Sequence, residues 1–156
     1  MKPQFVERVF DQKGKTVVPF NPKPVRRVVS SSVAKTLSEM LVSVVSTEGT
    51  ARQARLDGFA VAGKTGTTQK IIDGRYSNRH HVASFVGYFP AEDPSVVITV
   101  VVDEPKMKKG LLGYGGSVAA PSFRRVGERI IGYLGLEPKN EIPNLISGKV
   151  NGVSAL

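Results

Sequence analysis

The sequence predicts an α+β fold, an antiparallel sheet with helices packed on it, on three observations. Two long apolar runs, Val82–Phe89 and Ser95–Val102, are joined only by Pro90-Ala91-Glu92-Asp93-Pro94. So short a link favours an antiparallel return. Two other stretches, from Val33 to Val45 and from Phe123 to Leu134, space their apolar residues at helical intervals. Finally, 156 residues with 40% hydrophobic and 22% charged side chains suffice for one domain with a real core.

The elements follow in chain order. Phe5–Phe10 and Lys15–Phe20 flank Asp11-Gln12-Lys13-Gly14, a turn-forming tetrapeptide, and are predicted to form a hairpin. Asn21-Pro22-Lys23-Pro24 then interrupts regular structure. Ser30, Ser31 and Ser32 offer N-caps to a helix whose residues Val33, Leu37, Met40, Leu41, Val44 and Val45 share one face. Glu48-Gly49-Thr50 is its expected stop. Phe59–Thr68 reads as a strand, Gln69–His81 as a polar loop, and the two long apolar runs as further strands. The near-continuous apolar stretch Val96–Val102 predicts a central strand covered on both faces. Gly110–Gly116 is a glycine-rich loop without the Gly-Lys-Ser/Thr of a phosphate loop. Pro121 opens a last helix with Phe123, Val126, Ile130, Ile131 and Leu134 on one face. The domain is placed at residues 1–137, with 138–156 as a polar tail or linker.

Composition narrows the chemistry. There is no cysteine, which excludes disulfides, thiolate catalysis and zinc–cysteine sites. His80 and His81 lack metal-ligand spacing and read as loop residues; no metal or cofactor is expected. The 22 Lys and Arg against 13 Asp and Glu give +9. These cations are scattered and are not interleaved with aromatics, an arrangement that argues against a nucleic-acid partner. No run approaches the ~20 apolar residues of a membrane span, and Met1–Lys15 lacks the apolar centre of an export signal.

The chemistry-bearing stretch is Ala62-Gly63-Lys64-Thr65-Gly66-Thr67-Thr68, directly after an apolar run. Lys-Thr-Gly on a strand is one of three motifs of penicillin-recognising serine enzymes, beside Ser-x-x-Lys and a Ser-x-Asn element. Several more segments stand in the order that family shows: Glu48-Gly49-Thr50-Ala51, Ala83–Pro90, Val101-Val102-Asp103-Glu104-Pro105 and Tyr114–Pro121. From about Phe5 to Leu136 the chain resembles the C-terminal part of the transpeptidase domain of a class B penicillin-binding protein. The resemblance implies the sheet-containing part of the penicillin-binding transpeptidase and serine β-lactamase fold, with the helical lobe outside this chain. It implies that Lys64 brings a cation to the catalytic hydroxyl network. Thr65 and Thr67 would offer hydroxyls to a substrate or β-lactam carboxylate, and the Thr67 backbone N–H would be an oxyanion-hole donor. Gly66 would keep the strand open to the ligand. Peptidoglycan stem peptides and β-lactams are the implied ligands, and the missing N-terminal part of the domain and cell-division or elongation proteins the implied partners. The implied location is the bacterial cell envelope, at the outer face of the inner membrane.

The chain departs from the family in two motifs. Ser-x-Asn occurs nowhere, and Ser77-Asn78 is expected in the loop after the motif strand. Ser32-Val33-Ala34-Lys35 fits Ser-x-x-Lys, but Ser32 is already explained as a capping residue of a packing helix and reads as a decoy. Without its nucleophile the chain alone is expected to be inactive. Two alternatives stay open: a D,D-carboxypeptidase or β-lactamase of the same superfamily, and a non-catalytic binding or interaction fragment.

Overall fold

A computed structural model describes residues 1–106 and 113–138. The chain divides into two units, residues 1–34 and 35–156. In the first, β1 (Arg8–Phe10) and β2 (Thr16–Pro19) pair antiparallel as the predicted hairpin. Asp11 organises its turn. The Asp11 Oδ1 accepts the Lys13 and Lys15 N–H groups, each at 2.9 Å, and Gly14 takes φ +77°, a backbone conformation glycine adopts freely.

Helix α1 spans Ser31–Ser43. Ser30 is its cap, the Ser30 hydroxyl accepting the Val33 N–H at 3.2 Å. The helix stops short of the predicted Glu48-Gly49. Past Ser43 the chain tightens into turns, with Val45 N–H bonded to Val42 O and Ser46 N–H to Ser43 O. Its predicted apolar stripe is only partly used: Val33, Leu37 and Met40 are exposed, while Leu41 packs with Val42 on Ala60, Ala62 and Ala91. Ser38 Oγ and Tyr88 Oη, 2.8 Å apart, join this helix to the sheet.

The second unit is built on a three-stranded antiparallel sheet in the order β3-β4-β5: β3 (Ala62–Ile72), β4 (Arg75–Phe89) and β5 (Val96–Asp103). The architecture is α+β, as predicted. Two details differ. The supposed loop Gln69–His81 is a continuation of the β3–β4 hairpin, turned by Asp73 and Gly74 alone, both at positive φ (50° and 74°). Asp-Gly is among the dipeptides that a two-residue turn with positive φ at both positions favours, and it outweighed the polarity of its flanks. Ser77-Asn78 and both histidines therefore lie on β4 rather than in a loop. Second, among the described residues β4 is the central strand, and β5 is a half-buried edge strand whose residues alternate between partly buried and exposed. Valine's preference for strands leaves β5 valine-rich on both faces although its residues are partly buried on only one.

Helix α2 (Gly115–Leu134) covers that face. It begins six residues before Pro121, which falls inside it, so Gly115 and Gly116 are helical rather than loop. Its buried face is Gly115, Ala119, Ala120, Phe123 and Gly127, while Val126 and Leu134 of the predicted stripe are exposed. Phe123 meets Phe85 edge-on at 4.9 Å and Phe89 at 6.1 Å between ring centroids, forming the centre of the core. The short helix η1 (Arg52–Ala54) buries Ala54 in the same core. Residues 110–112 of the predicted glycine loop and residues 139–156 of the predicted tail lie outside the described residues. Among the described residues no helix is long and apolar enough to cross a membrane.

Candidate functional site

The Lys64–Thr67 motif occupies β3, whose other edge has no strand partner among the described residues. Strand alternation sends successive side chains to opposite faces. Thr65 pairs with Phe85, which packs on α2; Lys64 pairs with Val86 on the opposite face. Lys64 and Thr67 are exposed, and Thr65 and Gly66 partly buried. The Lys64 ammonium donates to the Thr65 carbonyl at 2.9 Å. It thus holds a positive charge beside the motif strand with no carboxylate paired to it among the described ion pairs.

Two close approaches fix the strand. A Cβ at Gly63 would lie 2.5 Å from the Phe85 ring, and one at Gly66 2.5 Å from Ser84 Oγ. A side chain at Gly66 would therefore force the Ser84 hydroxyl to turn away. The N-terminus of α2 then lies against the same stretch. A Cβ at Gly115 would overlap the Ser84 carbonyl and sit 2.9 Å from Gly66 O, and one at Gly116 would overlap the Thr50 carbonyl. From the other side Thr50 Oγ1 stands 3.2 Å from Thr65 Oγ1. Neither Thr50 nor the Gly115-Gly116 pair was a predicted site residue. Their segments carry the family resemblance, but their local chemistry reads as helix stop and flexible loop.

At its far end the sheet is tied by charge. Lys70 Nζ reaches over β4 to Asp103 Oδ1 at 3.0 Å and Glu104 Oε1 at 2.9 Å, and His80 Nδ1 lies 3.1 Å from the same Glu104 oxygen. The hydrogen bond from Lys70, then that from His80, hold the Glu104 carboxyl below the ordinary carboxylate range; the two carboxylates hold the Lys70 ammonium above its own. His81 Nε2 is 3.0 Å from Gly113 O, linking β4 to the start of α2. Neither histidine belongs to a group of three or more potential metal ligands among the described residues.

Ser32 lies exposed in the first turn of α1, its Oγ 2.9 Å from that of Ser30. A cavity of about 390 Å³ lies between Val42–Thr47 and Arg55–Val61, and none of its lining residues belongs to the motif. The motif is presented on a strand edge that has no strand partner among the described residues.

Residues 1–128 match the family described as the penicillin binding protein transpeptidase domain. The chain is 37% identical over 157 residues to stage V sporulation protein D of Bacillus subtilis, covering 91% of this chain and 24% of that protein. It is 39% identical to a probable peptidoglycan D,D-transpeptidase, PenA, of Neisseria flavescens, covering 80% and 30%. Among solved structures, penicillin-binding protein 3 of Mycobacterium tuberculosis complexed with ampicillin matches with a TM-score of 0.73 at 28% identity, over 90% of this chain and 32% of that one. The apo transpeptidase domain of Burkholderia pseudomallei penicillin-binding protein 3 matches with a TM-score of 0.64 at 35% identity, over 79% and 35%. The chain therefore spans between a quarter and about a third of these relatives.

Proposed function

The chain belongs to the penicillin-binding protein transpeptidase domain family, and on that premise we propose that it forms the sheet portion of a serine-type peptidoglycan D,D-transpeptidase. In the complete protein a serine Oγ attacks the penultimate D-Ala carbonyl of a stem peptide, its proton passing to a neighbouring base. The tetrahedral intermediate collapses, the peptide bond breaks, and D-Ala leaves with a proton. An amine of a second stem then attacks the ester, forming the crosslink and returning the serine. A β-lactam acylates the same serine and its ring amide opens. This chemistry takes place in the cell envelope.

The observation that carries this reading is the placement of Lys64–Thr67 on an edge of β3 that has no strand partner, beside an ammonium with no paired carboxylate, among the described residues. Lys64 lowers the cost of bringing a carboxylate and a developing oxyanion to that edge. Thr65 and Thr67 donate hydroxyl hydrogen bonds to the ligand carboxylate. The Lys64 ammonium reaches the Thr65 carbonyl, as a carbonyl turned to the open edge allows. In an extended strand residues two apart share an edge, so Thr67 then turns its N–H to the same side as an oxyanion donor. Gly66 keeps the backbone between them accessible.

The nucleophile is assigned to residues beyond 1–156 rather than to Ser32, and residues 138–156 to a tail or linker. Val86, Val97 and Val101, exposed on the sheet face opposite α2, support a missing lobe over this face and disfavour a self-sufficient module. The test is product analysis. The complete protein, given a stem pentapeptide with and without an acceptor amine, should release D-Ala and form crosslinked product with acceptor. D-Ala release without crosslinking would assign a carboxypeptidase; neither product would overturn the proposal.

A further inference from the structure

We propose that Thr50 is a positioning residue for ligand binding: its hydroxyl donates to Thr65 Oγ1, so that the Thr65 proton is directed at the ligand carboxylate. This rests on the reading above. The two hydroxyl oxygens lie 3.2 Å apart, and in the free protein either can donate. A hydroxyl has one proton and two acceptor lone pairs. A carboxylate only accepts, so once one is bound Thr65 must spend its proton on it and can only accept from Thr50. The relay Thr50 to Thr65 to carboxylate thereby acquires one direction. Each bond polarises the next.

Thr50 is suited to the task because it is rigidly mounted. The next residue, Ala51, is wholly buried, its N–H donating to Val44 O at 2.9 Å and its carbonyl accepting from Ala54 N–H at 2.9 Å. On the other side the Thr50 carbonyl fills the space that a side chain at Gly116 would take. The hydroxyl is thus supported by the core on one side and by α2 on the other, while Thr50 itself stays exposed. A donor held by packed neighbours loses little entropy when the ligand arrives.

The experiment compares a penicillin with its methyl ester as acylating agents of the complete protein, in wild type, Thr50→Val and Thr50→Ser. Valine matches threonine in shape and removes the hydroxyl. We expect Thr50→Val to lower acylation efficiency toward the free acid roughly five-fold, to leave the slower reaction with the ester unchanged, and Thr50→Ser to recover most of the loss. A purely structural role would lower both reactions alike, and that result, or no loss at all, overturns the assignment. Should Thr50→Val fail to fold, Thr50→Ala against Thr50→Ser reads the same acid-to-ester ratio. A wild-type protein acylated by neither compound would overturn the transpeptidase reading and this role with it; acylation equal in wild type and variants removes only the role of Thr50.

Discussion

Lys64 and Thr65 are neighbours with opposite surroundings, one aimed away from α2 and exposed, the other on the α2 face beside Thr50. Alternation along the strand is the whole cause. Replacing Lys64 by Met in the complete protein should reduce β-lactam acylation by about 10²–10³-fold, the scale on which a preorganised electrostatic group acts, with little change in thermal midpoint. Stopped-flow acylation and calorimetry read the two effects separately. The glycines divide just as sharply. A Cβ at Gly116 would overlap the Thr50 carbonyl, whereas at Gly132, on the same helix, it meets nothing within 4 Å. Gly116→Ala should therefore destabilise by about 1–3 kcal/mol, and Gly132→Ala should stabilise by about 0.5–1 kcal/mol; denaturant unfolding measures both. The strand position of the motif was legible in sequence from the apolar run before it, and its resemblance from the order of the flanking segments. Thr50 was not, since its part depends on a partner fifteen residues away, brought close only by the fold.

Among the elements, sequence periodicity located both helices and the three strands of the sheet but misjudged what covers them. Helix α2 turns Ala119, Ala120 and Gly127 to the core, and small residues give a weak apolar signal although they allow the closest approach. The β3–β4 hairpin was hidden by its polarity. Gln69, Asn78, Arg79 and His80 suit an exposed ribbon as well as a loop, and only Asp73-Gly74 distinguishes the two. The charged tie across its base has a pH consequence. Glu104 titrates below its ordinary value, so its contribution to stability is present above the ordinary carboxylate range and is lost as pH falls through its lowered value. Lys70 titrates above its ordinary value, so its contribution holds below about 10.5 and disappears as pH rises beyond that. Lys70→Gln should accordingly lower the thermal midpoint of the complete protein at pH 7, and the difference from wild type should shrink by pH 3. An undiminished difference at pH 3 would show that the tie does not act through charge. At the centre, Phe123→Ala should cost about 3–5 kcal/mol, since it empties the space between Phe85 and Phe89.

At the scale of the whole molecule, the sheet and its α2 layer are built around one compact aromatic core, while the opposite face leaves Val86, Val97 and Val101 exposed. The chain corresponds to 24% of the Bacillus relative and 32% of the mycobacterial structure, which leaves room in such proteins for a covering lobe and a second cleft wall. In the sequence one motif is present and Ser-x-Asn absent, the pattern on which the proposed division rests. In the proposed division residues 1–156 supply the strand that binds and polarises the ligand, while another part of the protein supplies the nucleophile. Intact mass of the complete protein after incubation with a β-lactam, followed by peptide mapping, tests it most directly. One adduct per chain is expected, on a serine outside residues 1–156, and none on this chain by itself; an adduct on Ser32 would instead make this chain carry its own nucleophile.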